Sequence, residues 1–161
     1  MNRFIVAALA VCGIAAGVVN AKEYTLSSPD GHLRLTVDAG KRLTWSLMHD
    51  STKVIAPSPI SLSLSDGKVL GASPRVKKVS TRKVDTSFAT PFYKKSEVKD
   101  VYNELTLRLS DGLSVIFRAY DDGAAYRLSL DGKGARRVTS EEAVFNFAGD
   151  YKAFIPYVND L

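Results

Sequence analysis

The sequence predicts an all-β domain, an antiparallel β-sandwich, and three features carry that reading. Apolar and polar residues alternate with a period of two in run after run. Asp-Gly pairs punctuate the runs. Beyond residue 22 there is almost no stretch with the 3.6-residue period of a helix. Alternation sets one face of each strand on a core and leaves the other wet, as antiparallel sheets do. The pairs fall at Asp30-Gly31, Asp66-Gly67, Asp111-Gly112, Asp122-Gly123 and Asp131-Gly132. Asp accepts local backbone bonds there, and Gly supplies the left-handed conformation.

The first residues stand outside this pattern. A basic start, Met1-Asn2-Arg3, precedes the apolar run Phe4–Val19, and Val19-Asn20-Ala21 offers the small residues of a cleavage site. This predicts a secretory leader over 1–21, and with it an exported, periplasmic or extracellular protein. The run is shorter than the ~20 residues that cross a bilayer, so no membrane span is expected after cleavage. An uncleaved anchor is the alternative. A lipidated Cys12 is disfavoured, because Val11 is bulky for the position before it.

From Lys22 onward the strands follow in order. His32–Asp38 points Leu33, Leu35 and Val37 inward; Arg42–Met48 points Leu43, Trp45 and Leu47; Ile60–Leu64 points Ile60, Leu62 and Leu64. Val69–Pro91 is polar, basic and rich in Ser and Thr. It reads as a solvated edge strand leading into a loop near Thr90-Pro91, since Lys on an edge resists unwanted pairing. Glu104–Ser110 points Leu105, Leu107 and Leu109 inward. Val115, Phe117 and Ala119 share one face of the next strand and Ile116, Arg118 and Tyr120 the other. Asp121-Asp122-Gly123 then predicts a hairpin into a strand with Tyr126, Leu128 and Leu130 on one face. Gly132-Lys133-Gly134 is a turn rather than a phosphate loop, because no third Gly and no helix follow. The last part carries Phe145, Phe147, Phe154, Ile155 and Tyr157 and stops at Leu161 without a closing turn. The sandwich over 22–161 is therefore expected to be partial, incomplete at its C-terminus.

Charge and cysteine bound the function. The net charge is +5, and cleavage after Ala21 leaves 21 basic against 17 acidic side chains. No aromatic platform interleaves with the basic residues, so no nucleic-acid partner is expected. Cys12 is the single cysteine and leaves with the leader, so the mature chain has no disulfide, thiol nucleophile or Cys-based metal site.

Catalytic chemistry finds no footing. Glycoside hydrolysis needs two carboxylates roughly 5 Å or 6.5–9.5 Å apart. Asp121 and Asp122 are adjacent in a turn, and Glu141-Glu142 reads as a solvated loop. His32 and His49 are far apart in sequence with no ligand spacing, so no metal site is expected. No Gly-x-Ser-x-Gly elbow is present. Trp45 lies between Leu43 and Leu47 and reads as core. Phe92-Tyr93 is either an exposed aromatic pair or the start of an inward strand.

At Ser28-Pro29-Asp30-Gly31, Tyr102-Asn103-Glu104-Leu105, Ile116–Gly123 and Phe147-Ala148-Gly149-Asp150 the chain resembles glycoside hydrolase family 97, in its N-terminal domain. The resemblance implies a β-sandwich of the galactose-mutarotase type that stops short of the (β/α) barrel holding the catalytic carboxylates. It implies a role in oligosaccharide or polysaccharide degradation, on α-glucosides or α-galactosides, with calcium near the active site. None of the family's catalytic or calcium-binding carboxylates can be carried onto this chain, so no catalytic residue, metal ligand or cofactor is assigned to it. Tyr157 and Asn159, where the chain would leave toward the barrel, are the substrate-binding candidates. A free-standing carbohydrate-binding or surface interaction module is the alternative, and a purely structural exported β-protein is a third reading.

Overall fold

A computed structural model describes residues 22–154 apart from Tyr93 and Lys133. The expected leader over 1–21 and the candidates Tyr157 and Asn159 lie outside the described residues. Within them the chain forms eleven strands and no helix. They are β1 (Glu23–Ser27), β2 (Leu33–Ala39), β3 (Leu43–His49), β4 (Thr52–Leu64), β5 (Val69–Leu70), β6 (Val76–Ala89), β7 (Glu97–Leu109), β8 (Leu113–Tyr120), β9 (Gly123–Leu130), β10 (Val138–Ala143) and β11 (Asn146–Phe147).

Two antiparallel sheets face each other. The first runs β1-β2-β3-β4-β10, with β5 and β11 also paired to β4; the second runs β6-β7-β8-β9. The alternation read from the sequence sets the register: Leu35 pairs Leu47 and Val37 pairs Trp45 across the first sheet. Leu105 pairs Phe117 and Leu107 pairs Val115 across the second. These rows meet in one core in which Leu35, Val37, Leu43, Leu107, Val115 and Phe117 are wholly buried. Burying each such side chain is worth about 2 kcal/mol.

The two sheets are offset. β1 lies against β7 and β8, and β2 against β8 and β9. On one side β6 therefore stands clear of the first sheet and is exposed almost throughout; it is the solvated edge strand, beginning at Val76 after Val69–Leu70 has paired with β4 as β5. On the other side the inward row of β9 (Tyr126, Leu128, Leu130) is only half-buried. There Trp45, Tyr126 and Phe145 pack edge-on or stacked at 5.5–6.2 Å. Trp45 is core as expected, with its indole N–H buried and without a partner among the described residues.

Four local expectations are revised. Gly31, Gly67, Gly112 and Gly132 adopt the left-handed conformation, but Gly123 does not. Its hairpin turns through Asp121-Asp122 alone, and Gly123 opens β9 opposite Tyr120. Strand β4 begins well before Ile60 and includes Pro57 and Pro59. Its pairing with β3 shifts register near them, as prolines that cannot donate to a ladder require. The Ser58 hydroxyl substitutes, donating to the Ala56 carbonyl and accepting the Asn146 N–H at 2.9 Å. Glu141 and Glu142 sit on β10 rather than in a loop. The Glu142 carboxylate takes the Ser61 hydroxyl at 2.7 Å and pairs with Arg42, and these bonds, the Ser61 one first, hold its pKa below the ordinary value. His32 and His49 are neighbours, with ring centroids 6.3 Å apart.

Candidate functional site

The stretches that carried the resemblance interlock. On the outer face of the second sheet, strand pairing lines up Arg82, Glu104 and Arg118. Arg82 donates Nε and Nη2 to the two Glu104 oxygens at 2.7 and 3.0 Å, and Arg118 donates Nε to Oε2 at 2.9 Å. Arg82 also reaches the Tyr102 hydroxyl at 3.2 Å. The Arg118 guanidinium lies 4.2 Å over the Tyr102 ring, which packs 5.1 Å from Tyr120. Although it faces outward, Glu104 is only 8 % exposed and Tyr102 3 %. Hydrogen bonds from Arg82, and then Arg118, hold the Glu104 carboxyl below its ordinary pKa. The neighbouring Tyr120 hydroxyl, and then Glu104, hold Arg118 charged.

A second set of bonds gathers the turns at one end of the sandwich. The Asn103 amide crosses to the Ser27 carbonyl at 2.8 Å, tying β7 to β1. Asp121 accepts the Asp30 N–H at 2.9 Å, tying the β8–β9 turn to the β1–β2 turn. Asp30 in turn takes the Ser28 hydroxyl and the His32 N–H. His32 Nδ1 meets Asp50 at 2.7 Å, and the Asp50 N–H returns to the His32 carbonyl. Phe147-Ala148-Gly149-Asp150 comes to the same end through β11, with the Ala148 N–H on the Val54 carbonyl.

Next to this end the inner side of the β6–β7 hairpin and the Asp121-Asp122 turn enclose an open concavity of about 750 Å³. Asp85, Glu97, Asp121 and Asp122 line it, with Lys99 and Tyr120. Such groups suit hydroxyl-rich ligands by hydrogen bonding. Proton donation is a different matter. Asp30, Asp50, Asp66, Glu104 and Glu142 are all held below ordinary carboxylate values by hydrogen bonds, whereas a glycosidase acid needs its pKa raised. Among the described residues no three His, Cys, Asp or Glu side chains converge to hold a metal.

Sequence reasoning read Arg82, Glu104 and Arg118 as members of strands and of a motif, not as one ionic node. The signal was present: outward Glu and Arg in strands joined by hairpins become cross-strand neighbours once the register is known. Phe92 is the exposed alternative of the two considered for Phe92-Tyr93, fully solvent-facing in the β6–β7 loop; Tyr93 is outside the described residues.

Comparison with known proteins places these observations. Residues 26–160 match the family description "Glycosyl-hydrolase 97 N-terminal". A retaining α-galactosidase of Bacteroides thetaiotaomicron is 42% identical over 137 residues, covering 85% of this chain and 21% of that protein. A glycoside hydrolase family 97 enzyme from Pseudoalteromonas sp. strain K8, solved with acarbose, superposes with a TM-score of 0.68. It is 22% identical, over 78% of this chain and 20% of that one. A β-arabinopyranosidase superposes at 0.69 with 27% identity, over 77% and 21%. The chain spans about a fifth of the length of these relatives.

Proposed function

The chain belongs to glycoside hydrolase family 97, whose N-terminal region it carries, and from that premise we propose that it is the non-catalytic sandwich portion of an exported glycosidase. The parent enzyme acts on α-galactosides or α-glucosides. The sandwich braces the catalytic portion and helps wall its substrate pocket. The observation that carries this reading is the 42% identity, across most of the chain, to about a fifth of a retaining α-galactosidase. The galactoside branch of the choice is favoured by the same identity, against 22% for the enzyme solved with acarbose. Periplasmic or extracellular location follows from the leader pattern over 1–21.

The test is hydrolysis of aryl α-galactosides and α-glucosides. The polypeptide of the complete reading frame is expected to release the aglycone from at least one, and residues 22–161 alone from neither. Turnover by 22–161 alone, or inactivity of the complete polypeptide on both, overturns the proposal. The concavity beside Asp121 and Asp122 favours a second reading, a free-standing carbohydrate-binding module. Calorimetric titration of the chain with maltose-type and galactose-type oligosaccharides separates the two, because only the module binds them tightly unaided.

A further inference from the structure

The gathered turns occupy one end of the sandwich, and the other end carries a different chemistry. Strand β8 runs between the two, its eight residues covering about 25 Å at ~3.3 Å per residue. At the far end the β4–β5 turn, the β7–β8 turn and the link from β9 to β10 meet around a concavity of about 530 Å³. Leu64, Leu70 and Ala135 give it aliphatic walls; Asp66, Lys68, Asp111, Arg136 and Arg137 give it charge. Backbone bonds tie the three segments together. The Asp131 N–H donates to the Gly112 carbonyl at 2.8 Å, and the Ser65 N–H to the Arg137 carbonyl at 2.9 Å.

The charges there are nearly balanced in number but not in commitment. The Asp111 carboxylate is spent on the fold, accepting the Gly71 N–H at 2.8 Å and the Leu113 N–H at 3.1 Å. Asp66 accepts the Lys68 N–H at 3.1 Å and pairs with the Lys68 ammonium at 3.0 Å. Asp131, just beside the concavity, takes the Ser114 hydroxyl at 3.4 Å. Arg136 and Arg137 enter none of the ion pairs among the described residues. The Arg136 guanidinium is nevertheless seated. A Cβ on Gly132 would come within 3.1 Å of its Nη2, and one on Gly112 within 3.7 Å of its Nη1. Both glycines are left-handed, with φ of 112° and 89°, and their missing side chains let one guanidinium lie against two turns at once. A planar fork held this way loses little freedom on taking an oxyanion, and its paired N–H groups match the oxygens of a carboxylate or a sulfate.

We propose that this concavity binds an oxyanion carried on a sugar ring, the carboxylate of a uronate or a sulfate ester, with Arg136 holding the oxyanion beside Arg137 and the aliphatic walls covering the C–H surface of the ring. For the sugar, the inference rests on the glycosidase reading above. The remaining selection comes from the site. Two uncommitted guanidiniums call for an oxyanion, and the volume lies within the range of small-molecule sites. No aromatic ring lines it, so nucleobases find no stacking platform. It stands a strand's length from the concavity beside Asp121 and Asp122, so the two are separate.

The test is calorimetric titration, at low salt, of the polypeptide of the complete reading frame with a galacturonate trisaccharide, a sulfated carrageenan oligosaccharide and a neutral galactose trisaccharide. At least one acidic ligand is expected to bind with a Kd of about 1 mM or tighter, and which one binds tells carboxylate from sulfate. Arg136→Gln is expected to weaken that binding about tenfold and to leave any binding of the neutral sugar unchanged. Arg136→Lys keeps the charge without the fork and should lose nearly as much. Arg34→Gln removes the same charge from the outer face of the first sheet and should change nothing. Binding of neither acidic ligand overturns the proposal, and so does affinity indifferent to Arg136→Gln or weakened equally by Arg34→Gln. Polyglutamate bound as tightly through Arg136 overturns it as well, by making the partner an acidic polypeptide. Aryl α-galactosidase and α-glucosidase activity are scored on the same material. An active polypeptide without Arg136-dependent binding removes the site alone, and such binding in a polypeptide inactive on both substrates removes the functional reading instead.

Discussion

Replacing Glu104 with Gln keeps the size of the side chain, removes its charge and turns one acceptor into a donor facing a guanidinium. The carboxylate accepts three charge-assisted hydrogen bonds. The two from Arg82 come from a side chain 55% exposed and count as a surface pair, at most about 1 kcal/mol. The bond from Arg118 to an almost buried carboxylate is worth about 1.5–3 kcal/mol. Glu104→Gln is therefore expected to cost about 2–3 kcal/mol at neutral pH. Urea unfolding followed by the fluorescence of Trp45, the only Trp and a buried one, measures it. Acid provides the sharper check. Hydrogen bonds from Arg82, then Arg118, hold the folded-state pKa of Glu104 below its ordinary value. A carboxyl lowered on folding contributes stability above the unfolded pKa and loses it as pH falls through the folded value. The unmodified protein and the variant should accordingly converge in stability as pH falls below the unfolded pKa and through the lower folded one. A cost under about 0.5 kcal/mol at neutral pH, or a gap unchanged on acidification, would show that the node is a solvated surface pair of the ordinary kind.

Three further outcomes are expected. Gly112→Ala places a Cβ on a left-handed residue (φ 89°) and should cost about 1–2 kcal/mol; Gly123→Ala, outside that region with nothing within 4 Å of the new Cβ, should cost nothing measurable or stabilise slightly. Asn103→Ala removes the amide bond to the Ser27 carbonyl and should lose about 1 kcal/mol, with faster exchange of the β1 amides as its local sign. His32 is expected to titrate above the ordinary imidazole value, chiefly because of its hydrogen bond to Asp50, and Asp50→Asn should bring it down in an NMR titration. Because folding raises that pKa, the contact contributes fully below the unfolded value and fades as pH rises through the folded one.

The strands with one apolar row were legible in the sequence because burial of alternate side chains fixes both their existence and their facing. Leu33–Val37, Leu43–Leu47, Leu105–Leu109 and Val115–Ala119 are buried as that row requires. The first half of β4 was not legible, since Pro57 and Pro59 argue against a paired strand until the Ser58 and Asn146 bonds that replace the ladder are seen. Asp-Gly at Asp122-Gly123 looked like the other four turns, but a two-residue loop closed by the Tyr120–Gly123 pair places Gly123 in the strand. Glu141 and Glu142 looked like loop charges because the Ser61 and Arg42 partners that hold Glu142 are remote in sequence.

Composition and periodicity settled matters that depend on near neighbours along the chain: an all-β domain, its inward rows, and a stretch from Lys22 onward without cysteine. Folding settled the matters that depend on partners far apart in sequence. Arg82 and Arg118 meet on Glu104 because two hairpins stack their strands in one register. Asp30 finds Asp121 across 91 positions of chain. Cross-strand and cross-sheet geometry is a property of how rows pack, and a one-residue slip would move every one of these groups to the opposite face.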